Sequence, residues 1–211
     1  MIRNGSIASV TLAAMVVSGV GLLAQDRPMS PLGTAATQVR GHYVKVAGIV
    51  DLQYQGGQWI EISYSRPIKR SRELWGSGAD YGKNLLLGAP VWRAGANVST
   101  RLKTEVPLVI ASQTVAPGEY SLFIDLKPDH WTLIVSNWAA QTHHDASNKD
   151  ALWGSFNYTA DKDVVRAPMT LATLPVSIDE LTWAFTNMSD QGGGLTLMWD
   201  RVMATASFTV R

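Results

Sequence analysis

The chain has 211 residues, 18 basic against 17 acidic, with 46% hydrophobic residues, eight Trp and no Cys. That composition supports one medium-sized domain with an adequate core and argues against a disordered, collagen-like or disulfide-stapled protein. Arg3 is the only charge before Asp26, so the remainder balances at 17 basic against 17 acidic residues; this speaks against a nucleic-acid partner, and the lack of thiols excludes zinc-finger, Cys-nucleophile, CxxC redox and lipoprotein-anchor chemistry.

From Asn4 to Gln25 no residue is charged, and Ile7 to Ala24 reads IASVTLAAMVVSGVGLLA. The expectation is one hydrophobic helix over residues 1–24, either a retained signal anchor or a cleaved signal peptide. A secretory apolar region usually runs about 7 to 15 residues and a membrane span needs about 20, so length favours retention. Leu22-Leu23-Ala24 is the natural cleavage point, but it puts Leu where the A-x-A pattern wants a small residue. In a retained helix Gly5, Ser9, Ala13, Val17 and Gly21 recur every four residues, a mostly small-residue stripe for packing against another membrane helix. Arg3 keeps the short N-terminus cytoplasmic and places everything after Arg27 across the membrane. The expected location is therefore the periplasmic side of the inner membrane on a single N-terminal span, or soluble periplasmic or secreted if cleaved near Ala24.

Residues 25–43 mix Pro, Gly, Ser, Thr and Ala without periodicity and read as a flexible tether. From Val44 onward the dominant period is two, which predicts an all-β domain over 44–211. Trp59, Ile60, Ile62 and Tyr64 follow Gln55-Gly56-Gly57-Gln58, a turn that predicts a hairpin with a strand in Val44 to Tyr54. Glu119 to Leu126 and His130 to Ser136 flank Lys127-Pro128-Asp129, a second hairpin. Leu181, Trp183 and Phe185 form a third with Leu195, Leu197 and Trp199 across Gln191-Gly192-Gly193-Gly194, and Val202 to Val210 closes the domain. About nine or ten strands with turns at this spacing point to an antiparallel β-sandwich. Ser65 to Asn97 and Asn137 to Ala160 are long irregular stretches, and loops above about 15 residues are usually functional.

Beginning at Tyr64-Ser65-Arg66-Pro67, the sequence resembles a bacterial exported family, domain of unknown function 2911. The resemblance continues through Arg72-Glu73-Leu74-Trp75-Gly76, Tyr81-Gly82, Val91-Trp92-Arg93-Ala94-Gly95-Ala96-Asn97, Ala116-Pro117-Gly118-Glu119-Tyr120-Ser121-Leu122-Phe123, Trp131-Thr132-Leu133-Ile134 and Trp153-Gly154 with Tyr158. It covers roughly Val44 to Arg211 and implies a compact β-rich exported domain, with no established activity to carry over. Two departures stand out against that pattern: Asn84 to Pro90 looks like an insertion, and Val98 stands where relatives often have an acidic residue.

The polar residues of the first long loop are the ligand-binding candidates: Tyr64, Arg66, Arg72, Tyr81, Arg93 and Asn97, with Trp75 and Trp92 among them. Guanidinium forks hold carboxylates or phosphates at two points, and indole faces stack on sugars or cations. The competing reading is structural: arginines bond loop carbonyls that lack a ladder partner, and buried backbone must be satisfied whether or not a ligand exists. Leu85, Leu86 and Leu87 in the insertion are either an exposed docking loop or apolar residues tucked beneath the sheet. His143, His144 and Asp145 are a weak metal candidate, since adjacent side chains rarely converge on one ion without a distant ligand such as His42 or His130. Asp161 and Asp163 fit a turn better than a carboxylate pair, and the Arg66, Lys69, Arg70, Arg72 cluster is either solvated surface or a contact for acidic groups. The chain has no G-x-S-x-G elbow, and its four His are scattered.

The functional expectation is a non-catalytic accessory subunit with no cofactor, held by its N-terminal helix in a larger membrane complex of the respiratory or photosynthetic type, with other subunits and the membrane as partners. The alternative is a periplasmic small-ligand-binding or hydrolytic protein using the Arg- and Trp-rich loop 64–97.

Overall fold

The computed structural model describes residues 29–211. The expected helix over 1–24 and its Gly5, Ser9, Ala13, Gly21 stripe lie outside the described residues. Among the described residues no helix is long and apolar enough to cross a membrane.

The strands in chain order are β1 (Leu32–Val39), β2 (His42–Val44), β3 (Gln53–Gln55), β4 (Gln58–Ser65), β5 (Thr100–Thr104), β6 (Leu108–Ile110), β7 (Gln113–Val115), β8 (Gly118–Leu126), β9 (Trp131–Ser136), β10 (Ala139–Ala140), β11 (Ala151–Leu152), β12 (Asp163–Ser189) and β13 (Gly192–Val210). One helical turn, α1 (Lys83–Leu86), interrupts the first long loop. Nine strands form one antiparallel sheet in the order β1-β4-β5-β8-β9-β12-β13-β6-β7, with β2-β3 and β10-β11 as separate two-stranded ribbons.

The tether reading of 25–43 is corrected. Within it Leu32–Val39 is an edge strand paired antiparallel with β4 from Leu32↔Ser65 to Val39↔Gln58. Its half-buried inward positions are Gly33, Ala35 and Thr37, too small to print an apolar period, and only Val39 is buried outright. The hairpin expected around Gly56-Gly57 is also corrected: β3 pairs with β2, and β4 turns away to lie between β1 and β5. Gly56, at φ +71, supplies a left-handed turn but joins two different sheets.

The other two hairpins stand where the alternation placed them. β8 pairs with β9, Leu126 opposite Trp131, and Trp183 and Phe185 of β12 face Leu197 and Leu195 of β13. β12 is 27 residues long and serves two neighbours: Asp163–Met169 pairs with β9, and Thr170–Ser189 with β13. Between Thr173 and Ile178 its register slips, and Pro175, which has no N–H to give a ladder, sits within the slip. One bent strand thus carries the sheet from β1 round to β7.

The main core gathers Ile60, Ile62, Leu102, Leu122, Leu133, Leu181, Leu197 and Phe208 with Trp92, Trp131, Trp183 and Trp199. β8 and β9 are buried on both faces, because a second cluster of Val91, Phe123, Ile134, Trp138, Leu152 and Tyr158 covers the reverse side. Phe123 and Ile134 belong to β8 and β9 themselves, and the stretch 137–160 supplies three of the four residues that cover them.

Candidate functional site

The loop from Arg66 to Ser99 is sewn to the β12–β13 hairpin. Lys69 N donates to Asp179 O at 2.7 Å and Leu181 N to Pro67 O at 3.0 Å. Arg66 pairs with Glu180, and Lys69 Nζ lies 2.7 Å from Asp200 Oδ1. Arg72 donates through Nε to Lys69 O at 3.2 Å and through Nη2 to Ile68 O, while its guanidinium stands 5.9 Å from the Trp199 ring. These are backbone-satisfying and ion-pairing roles, the structural alternative for arginines in a segment without a ladder.

The two loop indoles stack on protein. Trp92 lies parallel to Trp199 at 6.0 Å, and Trp75 packs on Trp131 at 4.9 Å and edge-on to Trp92 and Trp199 at 6.2 and 6.1 Å. Tyr81 joins this cluster by accepting the Trp131 Nε1 hydrogen at 3.0 Å, and burial pushes its phenol above the usual tyrosine range. Tyr64 is buried in the same core, on the inward parity of β4 with Ile60 and Ile62.

Arg93 is only 6% exposed and donates to Asn97 O at 2.8 Å, closing the Trp92–Asn97 turn. Asn97 contributes its main-chain carbonyl from a left-handed conformation, φ 57. The Arg93 guanidinium lies 5.2 Å from the Phe156 ring and directly on Gly154, and among the described residues no carboxylate comes within ion-pair distance of it. Burial lowers its pKa from the ordinary guanidinium value.

The candidates therefore divide. Trp75, Tyr81 and Trp92 meet in one indole cluster that Arg72 borders through Trp199, while Arg66 and Arg93 have separate partners. Two hollows touch them. One of about 450 Å3 between β1 and Thr182–Phe185 is bordered by Tyr64 and Arg66; another of about 330 Å3 is bordered by Met29, Ser30, Arg70 and Arg72.

The three-leucine docking loop is corrected. Leu85 is buried in the main core, Leu86 packs against it, and Leu87 alone is open, at 62% exposure. The turn of α1 explains the split, since successive residues on a helix point about 100° apart. The metal candidate is corrected as well: among the described residues no three His, Cys, Asp or Glu side chains are placed to hold an ion. His144 stands edge-on to Trp153, His143 Nδ1 lies 3.2 Å from Thr142 Oγ1, and Asp145 accepts from Ser147 N at 2.8 Å and Ser147 Oγ at 2.6 Å. That set is an Asx-type turn.

Asp163 does not pair with Asp161. It accepts the Tyr158 hydroxyl at 2.6 Å and Arg166 Nη1 at 3.0 Å, and Arg166 Nη2 reaches Asp125 at 3.1 Å. Burial, then the Asp163 carboxylate, push the Tyr158 phenol far upward. This network fastens the start of β12 to β8.

Sequence reasoning passed over one group of exposed aromatics, Tyr43 and Trp59 beside Tyr54. The signal was present: Trp59 is out of phase with Ile60, Ile62 and Tyr64, so on a strand of that parity it must face outward.

No curated protein and no solved structure matches the chain. Residues 49–208 match the family described as protein of unknown function, DUF2911, and the chain belongs to that family.

Proposed function

We propose that the chain is a non-catalytic accessory subunit of a larger membrane protein complex. In this reading the nine-stranded sheet, folded over its own core by β12, is a β-sandwich on the periplasmic side of the inner membrane. The uncharged N-terminal segment holds it there.

The observation that carries the proposal is the β2–β3 ribbon. It is a separate two-stranded sheet whose tip exposes Val50 at 88%, Leu52 at 56% and Ile49 at 41%. A lone two-stranded ribbon is marginal in water, and three apolar side chains at its end are a surface suited to a partner. Asp51 and Lys45, whose ammonium donates to Val50 O, stand beside them, and charged groups are costly in hydrocarbon. The tip therefore suits an apolar protein surface with a polar rim better than it suits lipid. Respiratory and photosynthetic assemblies are examples of complexes with such extra-membrane subunits. Arg72 supports the same view, since its guanidinium is engaged with the Ile68 and Lys69 carbonyls.

Gentle detergent extraction, native electrophoresis and mass spectrometry of the mature N-terminus test the proposal. It predicts a chain that retains residues 4–24 and migrates in a high-mass band with other subunits. A chain beginning after Ala24 and migrating alone as a monomer contradicts it.

A further inference from the structure

Independently of that reading, we infer that the outer face of β1 and β4 around Trp59 is a saccharide-binding furrow. Trp59, Glu61 and Ser63 alternate outward along β4 while Ile60, Ile62 and Tyr64 point into the core. On the neighbouring strand Gln38 stands opposite Trp59 and Ala36 opposite Glu61. Ala36 carries only a methyl, so a space opens beside the indole.

Two hollows result, and both border Ala36 and Trp59. One, of about 620 Å3, lies between Trp59, Gln38 and Asp190 and the Tyr43 and Tyr54 rings. The other, of about 370 Å3, lies against Glu61, Lys103 and Glu105. Each has the volume of a small-ligand site, and together they form a path on both sides of one indole.

Trp59 is 48% exposed and Tyr43 68%. The main chain beneath the indole is fixed: Trp59 N donates to Glu105 Oε2 at 2.8 Å, and Glu105 N donates to Trp59 O at 2.9 Å. Tyr54 is fixed by accepting Gly41 N at 2.7 Å, and its ring meets Tyr43 edge-on at 5.1 Å. The Tyr54 ring, held in this way, loses little freedom on binding.

The lining chooses among ligand classes. Asp190, Glu61 and Glu105 stand against Lys103 alone, an excess of carboxylate that repels phosphates, nucleotides and anionic lipid headgroups. Large aliphatic side chains, which a bound apolar peptide needs, are limited here to Met188. A pyranose has an apolar C–H face to lay on an indole and a rim of hydroxyls that both donate and accept. Carboxylates, the Gln38 amide, the Lys103 ammonium and the Tyr43 hydroxyl supply the complement to that rim. The ligand class is a neutral or amino-bearing oligosaccharide.

The test is calorimetric titration of the full chain, in a non-glycosidic amphiphile, with chitohexaose, cellohexaose and maltohexaose. Binding of at least one is expected, weakened about ten-fold or more by Trp59→Ala, the loss that follows removal of a stacking face, and partly restored in Trp59→Phe. Ala36→Leu fills the furrow from an exposed strand position and is expected to abolish binding with an unchanged melting temperature, so the result does not depend on how Trp59→Ala folds. Absence of binding by all three hexasaccharides, or binding that survives Ala36→Leu, overturns the inference.

Discussion

A β-carbon added at Gly154 would lie 2.3 Å from the Arg93 guanidinium, so these two residues fit only as they are. Gly154 also sits at φ +64, a conformation that side chains adopt with strain. Gly154→Ala is expected to destabilise the fold by roughly 2 to 3 kcal/mol, from overpacking plus backbone strain. In the Arg93→Ala background the overpacking part disappears and only about 1 kcal/mol remains. Urea unfolding midpoints across this double-mutant cycle measure the coupling; additive losses would show that a methyl at position 154 does not meet the Arg93 guanidinium.

Trp92 and Trp59 are predicted to behave oppositely. Trp92 is 1% exposed and stacked on Trp199, so Trp92→Ala is expected to cost about 3 to 5 kcal/mol. Trp59 faces outward on β4, and Trp59→Ala is expected to change stability by less than about 1 kcal/mol. Thermal melts of the two variants check both statements.

Acid should loosen the first long loop through Asp200. The Lys69 ammonium, with help from the Ser177 hydroxyl, holds the Asp200 carboxyl below the usual carboxylate range. The folded state thus binds this proton less readily than the unfolded chain, and the stabilisation is fully present above the unfolded value of about 3.9. It is lost as pH falls through the lower folded value. Asp200→Asn is expected to be less stable than the parent at pH 7 and to show a shallower decline between about pH 5 and 2. Stability measured against pH for both chains checks the sign.

The insertion gives another contrast. Leu85→Ala removes a side chain buried in the main core and is expected to lower stability by about 2 kcal/mol or more, whereas Leu87→Ser, on an exposed position, is expected to be close to neutral. Equal effects would mean that α1 is turned differently.

The β8–β9 and β12–β13 hairpins were legible in the sequence because large apolar side chains alternate on both arms around Pro- or Gly-bearing turns. β1 was not, because its inward positions are Gly33, Ala35 and Thr37; an edge strand laid over a neighbour can be built from small residues that carry no period. The loop tryptophans gave no clue to burial, since period two says nothing outside a strand, and Trp75 and Trp92 are buried by strands distant in sequence. The arginine roles were half legible. Chemistry foretold carbonyl bonding, but only the fold supplies Glu180 to Arg66 and the Phe156 ring to Arg93.

The accessory-subunit proposal is tested most directly at Val50. Because the chain has no Cys, Val50→Cys creates a single thiol at the ribbon tip, and Val176→Cys, 59% exposed on β12, provides a control elsewhere on the surface. Each is expressed in native membranes and treated with a short thiol-to-amine crosslinker, and the adducts are identified by mass spectrometry. The proposal predicts one discrete adduct from Val50→Cys with a chain that spans the membrane, lost when Leu52 is changed to Asp, and none from Val176→Cys. No adduct at Val50, or the same pattern from both positions, would contradict it.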